Sequence, residues 1–493
     1  MTRATTAYRR LQWQVALVVI TSLVTSTSVL AQRAEAQKAS FRPSPPGLLD
    51  VSAAGRQLAP STNGGLQATA RGLSLREAIE RALEFNLSVV ARAHTVGQAE
   101  GQRQIALSAL LPNVVGTVTE SAQRVNLGAL GVRLDTPIPG VEFPDAVGPF
   151  NAIDIRARLS QVLLDRSALH SYRASTETVR ASQYSVEDAR TVIILAVGTA
   201  YLQAVAARAR VESVRAQVAT TTTLFQRASL QRTAGLATPL DLDRAQVQVL
   251  TLQQRLVAQQ AVLAKQKIDL ARLAGLPPND QYDLNDDVSF SAASVPSLEE
   301  ALQEAAAQRP DLKAADAQVR AAERSLAAAQ ARRLPTVTID ADFGANRANP
   351  TPTQSTFTVA GTLRVPIWEG RRTDGEIEQA RATLAQRRAE RDDLSAQVEA
   401  EVRKAYLDLE AAAGQVRIAE ASMKVSRESL VLTRQRFDTG VSDNVELVRA
   451  QESVALGEFE YTDSVFSHNL AKLGLARAIG RTSQNLDAIL PSR

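Results

Sequence analysis

The side chains that do most enzyme chemistry are scarce in this chain and poorly spaced for it. Its three histidines, His94, His170 and His468, fall in separate helix-forming segments. None has a second ligand at the short spacing that lets two side chains share a metal ion, so surface histidines are the expectation. No HExxH, GxSxG or Walker A pattern occurs. Paired carboxylates such as Asp392-Asp393 sit in charged helical stretches and read as solvated. Cysteine is absent from all 493 residues, which excludes disulfides, thiol catalysis, cysteine metal sites and an N-terminal lipid on cysteine. No enzyme activity, metal or cofactor is expected.

Charge of another kind is placed by period. Over 153–160, Ile153, Ile155, Ala157 and Leu159 interleave with Asp154, Arg156, Arg158 and Ser160. Over 337–346, Val337, Ile339, Ala341 and Phe343 interleave with Thr338, Asp340, Asp342 and Gly344, and 357–365 alternates from Phe357 to Val365 around Arg364. A fourth stretch, about 113–124, alternates more weakly. Strands of about ten residues with one apolar and one charged face suit a membrane barrel, lipid outside and water inside. A half-buried sheet in a soluble domain alternates similarly. On the barrel reading Asp154, Arg156, Arg158, Asp340, Asp342 and Arg364 face the lumen, where mixed signs argue against strong ion selectivity. Trp368, just past the last strand, suits either an aromatic girdle or ordinary packing.

The N-terminus favours the barrel. Arg3, Arg9 and Arg10 precede the apolar Val15-Ala16-Leu17-Val18-Val19-Ile20, and Ser28-Val29-Leu30-Ala31 offers a small-residue cleavage site. Residues 1–31 therefore read as an export signal; their serines and threonines dilute the run too far for a membrane anchor. Residues 32–72, rich in Pro, Gly and Ser, read as disordered. No later segment reads as a spanning helix. Lys plus Arg number 56 and Asp plus Glu 52, a formal +4; without the three leader arginines about +1 remains. That is no basis for a nucleic-acid partner. An exported chain without cysteine or a spanning helix is free in the periplasm, or sits in the outer membrane as an unlipidated barrel.

The elements that position these residues are written twice. Ser74-Leu75-Arg76-Glu77-Ala78-Ile79 returns 223 residues later as Ser297-Leu298-Glu299-Glu300-Ala301-Leu302, and Leu111-Pro112 as Leu334-Pro335. Tyr201-Leu202, Gly235 and Leu270-Ala271-Arg272 return 205 later as Tyr406-Leu407, Gly440 and Leu475-Ala476-Arg477. The difference is a Pro- and Gly-rich insert between 124 and 152, read as a surface loop. The repeats are assigned to 73–290, with strands at about 113–124 and 152–163, and to 291–493, with strands at about 336–346 and 356–366.

Each repeat is a helix, a β-hairpin, a very long helix, a sharp turn and a return helix: a mainly α fold with a small β part. The first helices are expected over 74–110 and 297–333, opened by capping boxes at Ser74/Glu77 and Ser297/Glu300. The long ones cover 167–234 and 370–439, and the return helices 239–274 and 441–479. Val398, Val402, Ala405, Leu409, Ala412, Val416 and Ala419 form a heptad seam, echoed by Ile193, Val197, Ala200, Ala207 and Val214. At 1.5 Å per residue a long helix reaches about 102 Å, matched by two short ones of about 55 Å stacked end to end beside it. Four strands leave two open edges, which lipid does not tolerate. Three copies, giving twelve strands, make the smallest closure with a lumen, and the helices close likewise into a second barrel.

With these residues in view, the chain resembles the TolC-like family of outer-membrane efflux channels, the outer-membrane factors of tripartite pumps. The likeness rests on the duplicated plan and on the turns Thr233-Ala234-Gly235-Leu236-Ala237-Thr238-Pro239-Leu240-Asp241-Leu242 and Phe437-Asp438-Thr439-Gly440-Val441-Ser442-Asp443-Asn444-Val445-Glu446-Leu447, the second preceded by Arg434-Gln435-Arg436. The resemblance implies a homotrimer with a twelve-strand barrel in outer-membrane lipid, continuing into a large periplasmic α-barrel. It also implies a periplasmic adaptor and an inner-membrane transporter of RND or ABC type as partners. The turns at Gly235, Leu236, Gly440 and Val441 would then be the periplasmic tip where the adaptor docks and the channel constricts. Glu446, six places after Gly440, matches an acidic aperture residue of the family. Arg449 stands where a second acid is expected and can pair with Glu446 at i,i+3, within the helix or across protomers. Asp241 and Arg244 hold the same positions in the first hairpin. The other readings are a periplasmic adaptor or a coiled-coil scaffold without a channel. Whether cargo is a drug, a metal ion or a polypeptide is open.

Overall fold

The computed structural model describes residues 72–126, 146–235, 237–277, 282–285, 290, 296–348, 352–439, 441 and 444–481, all within the unit Gly55–Arg493. The expected leader 1–31, the stretch 32–71 and the middle of the insert lie outside the described residues.

The first half runs α1 (Leu75–Phe85), α2 (Leu87–Ser108), β1 (Asn113–Asn126), β2 (Ala146–Leu164), α3 (Arg166–Thr233) and α4 (Pro239–Ala274). The second repeats it as α5 (Leu298–Gln308), α6 (Pro310–Ala331), β3 (Thr336–Ala348), β4 (Gln354–Arg364), α7 (Arg372–Asp438) and α8 (Asn444–Ala478). Both β1 and β3 start directly after a Leu-Pro, where proline disfavours helix in the residue before it. Strand reaches to Asn126 and from Ala146, so the ends of the insert, expected as loop, are ladder instead.

The first helices are not continuous. Asn86 and Arg309, 223 residues apart, leave the helical region with ψ of 126° and 125° and split the expected spans into α1/α2 and α5/α6. At Arg309 the cause is Pro310, which lacks an N–H and pushes the residue before it out of helix. At Asn86 the side chain accepts from Ser88 N at 3.0 Å and caps the new helix. A glycine seals each break. Gly275 (φ 70°) and Gly480 (φ 83°) end their return helices left-handed, and a Cβ would sit 2.9 Å from Phe85 Cβ in one and 3.2 Å from Arg309 N in the other. Glycine is required there for both φ and room. The capping boxes also differ. Ser297 and Glu300 bond reciprocally at 3.3 and 2.9 Å. Ser74 accepts from Glu77 N, but the Glu77 carboxylate turns to Arg81.

The four strands form one antiparallel sheet in the order β1-β2-β3-β4, so β2–β3 pairing joins the halves and β1 and β4 are its edges. The helices follow suit. α3 packs against α2 and α6, and along the rest of its length against α4 and α8, while α7 packs against α5, α6 and α8. The stack therefore ends in α2 and α4 on one side and α7 on the other.

Two cores lie at the breaks. One gathers Ile79, Ile193, Val197, Tyr201 and Leu270 with Tyr282 and Leu284 of the connector. Tyr201 donates to Leu73 O at 3.0 Å, and Leu73 bridges Leu284. The other packs Ala301, Ala305 and Leu312 against the heptad residues Val398, Val402 and Leu409. Fully burying one large aliphatic side chain is worth about 1.5–3 kcal/mol, so these clusters anchor helices that are largely exposed elsewhere. One expectation needs correction: α3 contains an 18-residue window of mean hydropathy 1.6, long and apolar enough to cross a membrane. Two thirds of it, 67%, is buried inside the protein, so its apolarity is spent on core packing.

Candidate functional site

The sheet brings Asp154, Arg156, Arg158, Asp340, Asp342 and Arg364 to one face. Arg158 pairs with Asp342 across β2–β3, Arg156 with Gly344 and Ser160 with Asp340, while Thr336 pairs with Arg364 across β3–β4. Arg156 lies between two carboxylates, 2.8 Å from Asp154 and 2.7 Å from Asp342. Ser160 Oγ donates to Asp340 at 2.8 Å. Among the described residues Arg158 and Arg364 have no ion pair.

Gly344 makes the Arg156 seat possible. A Cβ there would lie 2.6 Å from Arg156 Cγ and 2.7 Å from the Ile155 carbonyl. A glycine inside a strand signals such close approach by a neighbour. The opposite face is largely apolar and bare, with Glu120 and Arg347 standing on either side of Ile153 at one end of it. Phe343 faces Phe357, Ala341 faces Val359 and Val118 faces Ile155, with Val118, Phe357 and Val359 each at least 70% exposed. A soluble sheet does not leave such a face uncovered. Trp368 is 83% exposed and Ile367 95%, so neither packs within the protomer.

At the other end of α3, Gly235 turns the chain with φ 74°. Nothing lies within 4 Å of a Cβ placed on it, so conformation rather than space requires glycine. Leu236 and Gly440 lie outside the described residues. Val441 is exposed, its N–H donating to Arg436 O at 2.9 Å.

Asp241 has a local partner. Thr238 donates to its carboxylate from Oγ at 2.6 Å and from N at 3.1 Å, closing a capping box with Pro239 in the first turn of α4. Those bonds, and secondarily Arg244, hold the Asp241 carboxyl below its usual range. The Thr-Pro-x-Asp spacing was the signal for this. Glu446 also has a partner within its own hairpin. Within the protomer its ion-pair partner is Arg436, at 3.4 Å across the hairpin, and not Arg449. Glu446 sits in the first turn of α8 facing the last turn of α7. Arg449, about 60° round the helix, points instead into a groove of about 530 Å³ between α3, α4 and α8. Leu224, Leu240, Val247 and Val448 line that groove, and Arg244 shares it. The equivalent arginines of the two hairpins thus line the same groove. Among the described residues no cluster of acids and histidines can hold a metal ion.

An alternating sheet with one charged and one bare apolar face, set on paired helical hairpins, defines an outer-membrane channel protomer. The profile of the outer membrane efflux protein family matches residues 78–276 and 301–481, and the chain belongs to that family. It is an outer-membrane exit duct serving efflux or secretion. Outer membrane protein OprJ of Pseudomonas aeruginosa is 26% identical over 430 residues, covering 82% of this chain and 84% of that protein. The pyoverdine export outer membrane protein OpmQ of the same organism is 24% identical, with the same shares covered. The crystal structure of the Campylobacter jejuni CmeC outer membrane channel superposes with a TM-score of 0.72 at 16% identity, over 91% of this chain and 97% of that one.

Proposed function

We propose that three copies close a twelve-stranded barrel above a helical tunnel. In this reading the duct completes a tripartite pump with a periplasmic adaptor and an inner-membrane transporter of RND or ABC type. The observation that carries it is the pair of free sheet edges. β1 and β4 each offer unpaired backbone groups that only another protomer can satisfy in lipid. The edge helices support it, with Ile105 and Val257 exposed on α2 and α4, and Leu407 and Ile418 on α7.

The charged face then lines the lumen through Asp154, Arg156, Arg158, Asp340, Asp342 and Arg364, three copies of each. Opposite signs already neutralise each other at Arg156, which favours a wide, weakly selective pore. The turns at Gly235, Leu236, Gly440 and Val441 form the periplasmic tip for the adaptor. Glu446, Arg449, Asp241 and Arg244 ring the aperture. The chain reaches the membrane through the leader 1–31, stays unlipidated and catalyses nothing.

Native mass spectrometry of the detergent-extracted protein tests the assembly. A trimer is expected; a stable monomer overturns the reading.

A further inference from the structure

Just below the barrel, α3 and α6 carry a concentration of positive charge that is only partly balanced by acids. Arg166, His170 and Arg173 recur at i, i+4 and i+7 on α3, one helical face. One turn on, Glu177 accepts from Arg180 and, across the seam at 2.9 Å, from Arg320 of α6. Arg324 lies one turn nearer the barrel on the same face of α6 as Arg320. Among the described residues Arg166, Arg173 and Arg324 have no ion pair. His170 is their common neighbour: its Nδ1 is buried without a hydrogen-bond partner. Burial, then the fields of Arg173, Arg324 and Arg166, hold its imidazole below the ordinary value.

The face points outward. Asp165, Ala168 and Ser171 of α3 share one hollow with Ala106 of α2, Arg332 of α6 and Glu376 of α7. A hollow reached by four successive helices is the concave side. At about 100° per residue, Arg166, His170 and Arg173 lie on the opposite side of α3. Neither α3 nor α6 is an edge helix, so neighbouring copies do not cover this strip.

Its depth fits one occupant. α3 begins two residues after β2 ends at Leu164, and Arg166 to Arg173 spans about 10 Å. A polar headgroup layer of about 5–8 Å borders the hydrocarbon core on each side. We propose that Arg166, Arg173 and Arg324 bind the phosphate of an anionic phospholipid in the periplasmic leaflet of the outer membrane. The site rests on the barrel reading above. It uses what guanidinium does best, forked donation to phosphate oxygens.

The test is native mass spectrometry of the full chain released from nanodiscs of equal parts phosphatidylglycerol and phosphatidylcholine. The wild type should retain phosphatidylglycerol over phosphatidylcholine by about tenfold or more. Arg166→Gln/Arg173→Gln/Arg324→Gln should lose that preference, and the matching lysine triple variant should keep most of it. Equal retention of both lipids by the wild type, or an undiminished preference in the assembled glutamine variant, overturns the proposal. Displacement of the lipid by inorganic phosphate reassigns the site to a soluble anion and overturns it as well. A chain that never enters nanodiscs overturns the barrel reading and the site with it, whereas insertion with equal retention overturns the site alone. Should the glutamine variant not assemble, the wild-type preference decides.

Discussion

Arg436, in the last turn of α7, meets Glu446, in the first turn of α8, at 3.4 Å across the second tip hairpin. Each charge also suits the helix end it occupies, a cation at a C-terminus and an anion at an N-terminus. Both are about half exposed, so the pair is worth under about 1 kcal/mol. Its value lies in position: it ties the two arms of the hairpin beside the turn. Arg436→Glu should therefore raise leak conductance in planar bilayers more than Arg449→Glu, with the difference shrinking at high salt. Glu446→Gln should lower block by divalent cations from the periplasmic side. Unchanged conductance and block in intact assemblies would remove the tip charges from any gate.

The Arg156 seat predicts a contrast between two strand glycines. Gly344→Ala drives a methyl into Arg156 and the Ile155 carbonyl and should cost about 1–3 kcal/mol. Gly361→Ala, in the next strand, meets nothing within 4 Å and should be nearly neutral. Thermal dissociation of the assembly, followed by gel mobility, measures both.

A second contrast sits at the helix breaks. Arg309, 5% exposed, donates to Asp311 and Glu401 at 2.6 Å each. Arg309→Ala leaves the half-buried Asp311 carboxylate without its cation and should cost about 3–5 kcal/mol. Asn86→Ala, at the equivalent position, removes only a cap and should cost about 1 kcal/mol. Denaturant unfolding in detergent would rank them; equal costs would contradict the account.

His468 predicts a pH dependence. It is 1% exposed, with its ring 4.8 Å from Phe290. Burial first, then Lys472, lowers its imidazole pKa. The unfolded chain therefore binds the proton more readily than the folded one. The stability it contributes is present above the unfolded value of about 6.5 and is lost as pH falls through the folded one. Stability should therefore fall as pH drops below neutral, and His468→Gln should flatten that slope in thermal melts.

The expectation that His468 lies on the surface was thus wrong, and the reason generalises. Strand faces, heptad seams and the doubled plan are legible because each is a repeated local pattern; Val398 and Val402 announce their burial by spacing alone. The breaks were half legible. Pro310 signals one of them, but at Asn86 no proline marks the break, which is capped by the Asn86 side chain and packed over by Gly275. The Arg436–Glu446 pair joins residues ten apart across a turn, and no periodicity encodes that. The orphan arginines at the barrel rim escaped for the same reason, since Arg324 meets its neighbours across a helix seam.

The paired breaks at Asn86 and Arg309 also set a mechanical ratio. From the glycine that seals each break, a return helix of 36 or 35 residues runs to the tip turns, a lever arm of about 54 Å. A tilt of about 5° at the joint carries the far end about 5 Å, wider than a water molecule, while atoms at the joint move by a fraction of an ångström. Side chains packed around Gly275 and Gly480 therefore act as a fulcrum. A change of one methyl group there is magnified at the distant end, and the contacts that α4 and α8 make along the long helices shift in proportion to their distance from the joint.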